Sequence, residues 1–272
     1  MKTIQLLTFV LLTNFLFGQD KQFFYEYRHL PDSVNREKIE SEIMALNVNK
    51  LKSEFYSVDK YISDSTLLAD SNKGVFSMPP NKVMNNDRII KPANSKSIEY
   101  ITILSDTKYF VSQKIDLKWD IIPEFESILG YKAQKATTEF GGRKWIAWFS
   151  EEIPIQDGPY KFCGLPGLIV KIEDMGKNHI YELKGIKNSE TDFEYPELNN
   201  FRIMKVNYPK YVKVYKKYRK NPMADQIGMF PDQTDSNGVF RTGAEIFRAN
   251  EKIVLERLSK DNNIIEIDLL KK

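Results

Sequence analysis

The sequence predicts a mainly β fold of the α+β kind: a curved antiparallel sheet or meander with a few helices, most of them C-terminal. Three observations predict it. Between residues 98 and 183, short β-branched and aromatic runs follow one another at hairpin spacing. The Gly141-Gly142 pair separates two of these runs, and glycine supplies the positive φ that tight hairpin turns demand. The clearest helical periodicity falls in the last quarter, where Tyr208, Tyr211, Tyr215 and Tyr218 recur three or four residues apart.

The elements follow in order. Lys2, an uncharged apolar run over residues 4–17 and then Gly18 read as a secretory signal peptide spanning residues 1–19. That run is shorter than the roughly 20 residues of a membrane span. Residues 23–27 are a first strand, and Pro31-Asp32-Ser33 is the turn after it, with Asp32 or Ser33 capping a short helix to about Met44. A second strand covers residues 54–58, and the polar, proline-containing stretch 70–97 is a long loop. Strands follow at 98–104, 109–111, 117–122, 131–140, 144–149, 168–173 and 180–183. A helix begins near Tyr208. A second, over residues 246–258, is announced by the capping-box spacing of Thr242 and Glu245. Residues 264–269 read as a final strand. With no persuasive linker, residues 20–272 form a single domain.

Composition narrows the function classes. The chain is 42% hydrophobic and 12% aromatic, which is enough to bury a core and argues against intrinsic disorder. Its 40 basic and 37 acidic residues nearly cancel, so nothing points to nucleic acid. Cys163 is the only cysteine, so no internal disulfide can form, and no cysteine follows the signal peptide as a lipoprotein requires. The expectation is an exported protein of the periplasm or cell exterior, not a lipoprotein, with no membrane span in the mature chain.

No motif assigns chemistry. Two histidines, His29 and His179, and one cysteine do not supply a zinc ligand set. There is no calcium-loop spacing, no Walker-type lysine and no serine-nucleophile elbow. No catalytic residue, cofactor or metal is therefore assigned. An enzyme assembled from scattered carboxylates, tyrosines or Cys163 stays open as an alternative.

The most distinctive stretch runs from residue 145 to 174. Gly158-Pro159 and Leu165-Pro166-Gly167-Leu168 are turn-formers, and Gly167 is expected to accept the positive φ of a type II turn. In a strand, Trp145, Ala147 and Phe149 share one face while Ile146 and Trp148 share the other, so this strand is expected to be covered on both sides. Trp145, Trp148, Phe162, Cys163 and Leu165 then either pack the core or wall a binding site. The stretch resembles the GLPGLI family, whose name is spelled by residues 164–169, with Trp148-Phe149, Ile153-Pro154 and Gly158-Pro159-Tyr160-Lys161-Phe162 also similar. The resemblance implies an exported protein of Gram-negative envelopes and brings no catalytic residues with it.

Residues 198–224 hold eight basic side chains and no acidic one. Arg202, Lys205, Lys213, Lys216, Lys217 and Lys220 form either a solvated face or a contact surface for an anionic lipid or partner. Three functions follow: non-enzymatic binding of an apolar ligand or partner protein, an accessory role in an outer-membrane assembly, or an uncharacterised enzyme.

Overall fold

A computed structural model of the chain describes residues 20–80, 83–189, 193–198, 201–234 and 236–271. The expected signal peptide, residues 1–19, lies outside the described residues. The N-terminal half holds β1 (Asp20–His29), β2 (Glu40–Val48), β3 (Lys52–Ser57), α1 (Val58–Asn72), β4 (Arg88–Pro92), β5 (Ser97–Leu104) and β6 (Thr107–Lys114). There follow β7 (Asp120–Ile128), β8 (Tyr131–Phe140), β9 (Arg143–Ser150), β10 (Leu168–Asp174) and β11 (His179–Ser189). The last part holds β12 (Arg202–Asn207), α2 (Tyr208–Lys220), the two-residue strands β13 (Gln233–Thr234) and β14 (Phe240–Arg241), and α3 (Gly243–Lys260).

β1–β12 form one sheet in the order β12-β6-β5-β4-β3-β2-β1-β11-β10-β9-β8-β7. It is two antiparallel meanders, β1 to β6 and β7 to β11, joined where β1 pairs β11 from Asp20↔Ser189 to His29↔His179. The sheet does not close into a barrel. The expected all-antiparallel meander holds except at one edge, where β12 runs parallel to β6. A parallel neighbour needs a long crossover, and here the whole second meander separates the two strands.

Strand alternation sorts side chains onto two faces. The inner face collects Phe23, Tyr25 and Tyr27 of β1, Met44 and Leu46 of β2, Phe55, Ile89, Tyr100, Val111, Trp145, Ala147, Ile172 and Tyr181, all buried. Residues 153–167, α2 and the C-terminal tail cover it: Phe162, Leu165, Tyr211, Tyr215, Ile265 and Leu269 join the same core. The outer face is covered only in part. Tyr56 stacks on Phe193 beneath α1, whereas elsewhere charged side chains such as Lys184, between Glu26 at 3.3 Å and Glu182 at 2.7 Å, face solvent.

Four expectations are corrected. The helix expected over 33–44 gives way to β2, which is held as a strand by pairing β1 on one side and β3 on the other and buries Glu42, Met44, Ala45 and Leu46. The expected long loop hides the end of α1 and all of β4. The strand expected at 264–269 is an irregular segment ending in a 3₁₀ turn, Ile267–Leu270. Its carbonyls are taken by a side chain: Arg143 Nε donates to Ile265 O at 3.1 Å, and Nη2 donates to Ile264 O at 2.8 Å. Gly167 is not in the left-handed region; a Cβ there would lie 2.2 Å from Ser150 O, so close backbone approach is what requires glycine. The 141–142 turn does place both glycines at positive φ, +61° and +79°, and the Thr242–Glu245 capping box of α3 is formed.

Candidate functional site

Among the described residues, two of the hollows lie at opposite ends of the inner face. The first is a polar chamber of about 250 Å³. The pairing of β1 with β11 sets Tyr27 opposite Tyr181 and His29 opposite His179, so all four rings share the inner face. They stack: Tyr27 lies 4.8 Å from His29 at 4° and 4.2 Å from Tyr181 at 10°, centroid to centroid. The Tyr27 hydroxyl is 2.8 Å from His179 Nδ1. Burial, reinforced by the nearby Arg143 charge, pushes His179 down to about 3. With the imidazole neutral, one ring nitrogen donates and the other accepts, so the direction of the Tyr27–His179 hydrogen bond follows the tautomer. His179 Nε2 is buried without a hydrogen-bond partner among the described residues. Burial also lowers His29, against the opposing pull of Glu40.

The far wall of the chamber comes from β5, α2, residues 84–87 and the tail. Asp87 is raised by burial, partly offset by the hydroxyls of Thr102 and Tyr100. Asp261 is likewise raised by burial and held back by Arg219, whose Nη1 lies 3.2 Å away. Glu266 goes the other way. Burial acts to raise it, but the buried Lys161 ammonium and hydrogen bonds from Lys161, Tyr208 and Tyr160 outweigh that and hold it below the usual range. Lys161 is 0% exposed, with Nζ 4.1, 5.2 and 5.3 Å from the ring centroids of Tyr100, Tyr208 and Tyr160, and it donates to Gln113 at 2.7 Å. Among the described residues no three His, Cys, Asp or Glu side chains gather as a metal site.

The second hollow is a cleft of about 670 Å³ at the other end, bounded by the start of β1, the β2–β3 and β4–β5 turns, Tyr131 and residues 152–156. Its walls are mostly apolar, with Phe23, Val48, Ile153, Pro154, Ile155 and Ile186, while Lys21, Lys50, Asn94 and Glu152 supply polar groups.

The aromatic candidates from the sequence fall elsewhere. Trp145, Phe162 and Leu165 are 0%, 0% and 1% exposed and belong to the core. Trp145 Nε1 donates to Phe140 O at 2.9 Å, and its ring lies 4.7 Å from that of Phe162. Trp148 is half-buried on the outer face, with Lys135 Nζ 5.9 Å from its ring, so the expected two-sided cover of β9 is complete only inside. Cys163 is half-buried, and burial pushes its thiol up, which disfavours the thiolate a nucleophile needs. None of these five residues lines the chamber or the cleft. Of the basic candidates, Arg202, Lys205, Lys213, Lys217 and Lys220 are exposed and Lys216 is half-buried, while Arg219 turns inward to Asp261 and to Leu258 O.

Asp87, Asn263, Lys161 and Glu266 did not emerge from the sequence as site residues. The one available signal was Lys161, a lone charge inside an apolar turn-forming stretch.

Residues 142–171, which contain the 164–169 hexapeptide, match the model of a family described as a protein of unknown function, Porph_ging. No curated protein matches. Two solved structures of PNGF-II, in space groups P21 and C2, are similar in fold: each is 16% identical, has a TM-score of 0.53, and covers 74% of this chain. The matched region spans 34% of the PNGF-II chain, about a third of its length.

Proposed function

We propose that this is an exported, non-enzymatic envelope protein that holds an apolar small molecule in the cleft between the β2–β3 turn and residues 152–156. One observation carries the reading: about 670 Å³ of mostly apolar space falls within the range of small-molecule sites, roughly 300–1,000 Å³, with a few polar groups available for orientation. The family match, residues 142–171, includes residues 152–156 of the cleft wall. Export rests on the N-terminal pattern of residues 1–19 and on the GLPGLI resemblance. Among the described residues no helix is long and apolar enough to cross a membrane.

The test is native mass spectrometry of protein recovered from a bacterial envelope without detergent. A reproducible adduct of lipid-like mass, lost in an Ile155→Lys variant, is the expected result. A bare mass that stays unchanged after incubation with an envelope lipid extract overturns the reading.

A second reading is favoured by the exposure of Arg202, Lys205, Lys213, Lys217 and Lys220 along β12 and α2. This surface suits attraction to an anionic lipid surface or an acidic partner, such as a component of an outer-membrane assembly.

A further inference from the structure

We propose that the polar chamber is a second binding site, distinct from the apolar cleft, that takes a small organic cation with Asp87 as its counter-charge.

The charges of the wall point to the sign of the ligand. Asp87, Asp261 and Glu266 line the chamber, and among the described residues no lysine or arginine does. Asp261 is engaged by Arg219 and Glu266 by Lys161, both reaching in from behind the wall. Asp87 forms no ion pair among the described residues; the hydroxyls of Thr102 and Tyr100 hydrogen-bond to it, and the Lys161 charge, already paired with Glu266, reaches it only at longer range. A carboxyl group half-enclosed in this way favours a cation beside it, because an opposite charge offsets the cost of desolvation. An anionic ligand would meet three carboxyl groups.

The rings of the wall point to an organic rather than a metal ion. Tyr27, Tyr100, Tyr160, Tyr211 and Tyr215 all line the chamber. Aromatic faces attract ammonium groups through the ring quadrupole. The protein already uses this chemistry next door, where the buried Lys161 ammonium sits 4.1 Å from the centroid of Tyr100, a ring that lines the chamber as well. No metal-binding cluster is present among the described residues. About 250 Å³ is room for on the order of eight waters at ~30 Å³ each, well beyond a bare ion. His29 and His179 are both biased to the neutral form and add no opposing charge.

His29 and His179 are the only histidines of the chain, and both line the chamber, so their imidazole NMR signals report on this site. Choline and its uncharged carbon isostere, 3,3-dimethylbutan-1-ol, are titrated into the mature protein, with both imidazole signals and heat of binding recorded. Choline is expected to shift the histidine signals saturably at one equivalent, with the isostere at least about tenfold weaker. Asp87→Asn is expected to weaken choline at least about tenfold and to leave the isostere unchanged. An isostere as tight as choline, an absence of saturable histidine shifts, or full affinity in a folded Asp87→Asn protein each overturns the proposal. If Asp87→Asn does not fold, the comparison of the two probes on the unaltered protein decides it.

Discussion

Replacing Gly167 with alanine is expected to cost far more than its small size suggests. The added Cβ would lie 2.2 Å from Ser150 O, 2.6 Å from Ser150 C and 2.9 Å from Glu151 N, all backbone atoms with no rotamer to move. Relief requires the turn to lift away from the end of β9. Leu168 would then lose its register with Ser150, and its amide would lose Ile153 O, now at 3.0 Å. The Leu168–Ile153 hydrogen bond and the ladder bonding of the Leu168–Ser150 pair at about 1 kcal/mol each, with about 1 kcal/mol for partial exposure of the fully buried Leu168, give about 3 kcal/mol. For a chain of this size that is a fall in Tm of about 6–12 °C. Gly164 is the internal control. Its φ is +92° and nothing lies within 4 Å of a Cβ there, so Gly164→Ala meets only conformational strain, about 1–2 kcal/mol. Urea unfolding followed by tryptophan fluorescence measures both variants. Gly167→Ala matching or surpassing Gly164→Ala in stability would refute the argument from close approach.

Three further outcomes are expected. Lys161→Met leaves Glu266 buried without its cation and should destabilise by about 3–5 kcal/mol; Lys161→Met with Glu266→Gln should recover part of this, and urea midpoints decide it. Glu42 is raised by burial from 4.5 to about 7, so the folded state takes up its proton first and stability from this group grows as pH falls from about 7 to 4.5. The lowered His29 and His179 act oppositely, costing stability as pH falls below 6.5, so relative to Glu42→Gln the unaltered protein should gain up to about 3 kcal/mol between pH 7 and 4.5, and parallel denaturation curves without that divergence count against it. Replacing Lys213, Lys217 and Lys220 with glutamine should change stability by less than about 0.5 kcal/mol, whereas co-sedimentation with anionic vesicles should fall both in that variant and with added salt.

Local chemistry is what the sequence determined by itself. β8 was legible at both ends, Tyr131 and Phe140, because apolar alternation and the Gly141-Gly142 turn are contained within the segment. The start of α2 at Tyr208 was legible from its tyrosine period, and the cap of α3 from Thr242 and Glu245. α1 was not seen, since only Ser63 and Asp64 are buried along it and its apolar period is weak; the capping Ser57 with Asp59 in the first turn was the signal to read. β2 looked helical because its strand character is imposed by neighbours on both sides. The tail looked like a strand because Ile264, Ile265 and Ile267 carry β propensity, yet Arg143, some 120 residues earlier, claims its carbonyls. Tertiary structure alone decided both hollows. His29 and His179 share a face only because β1 pairs β11, and Asp87 meets Tyr211 and Glu266 across the chamber only because α2 and the tail fold back over the sheet. Spacing along the chain carries no record of such meetings, since each depends on register and packing between segments that exert no local influence on one another.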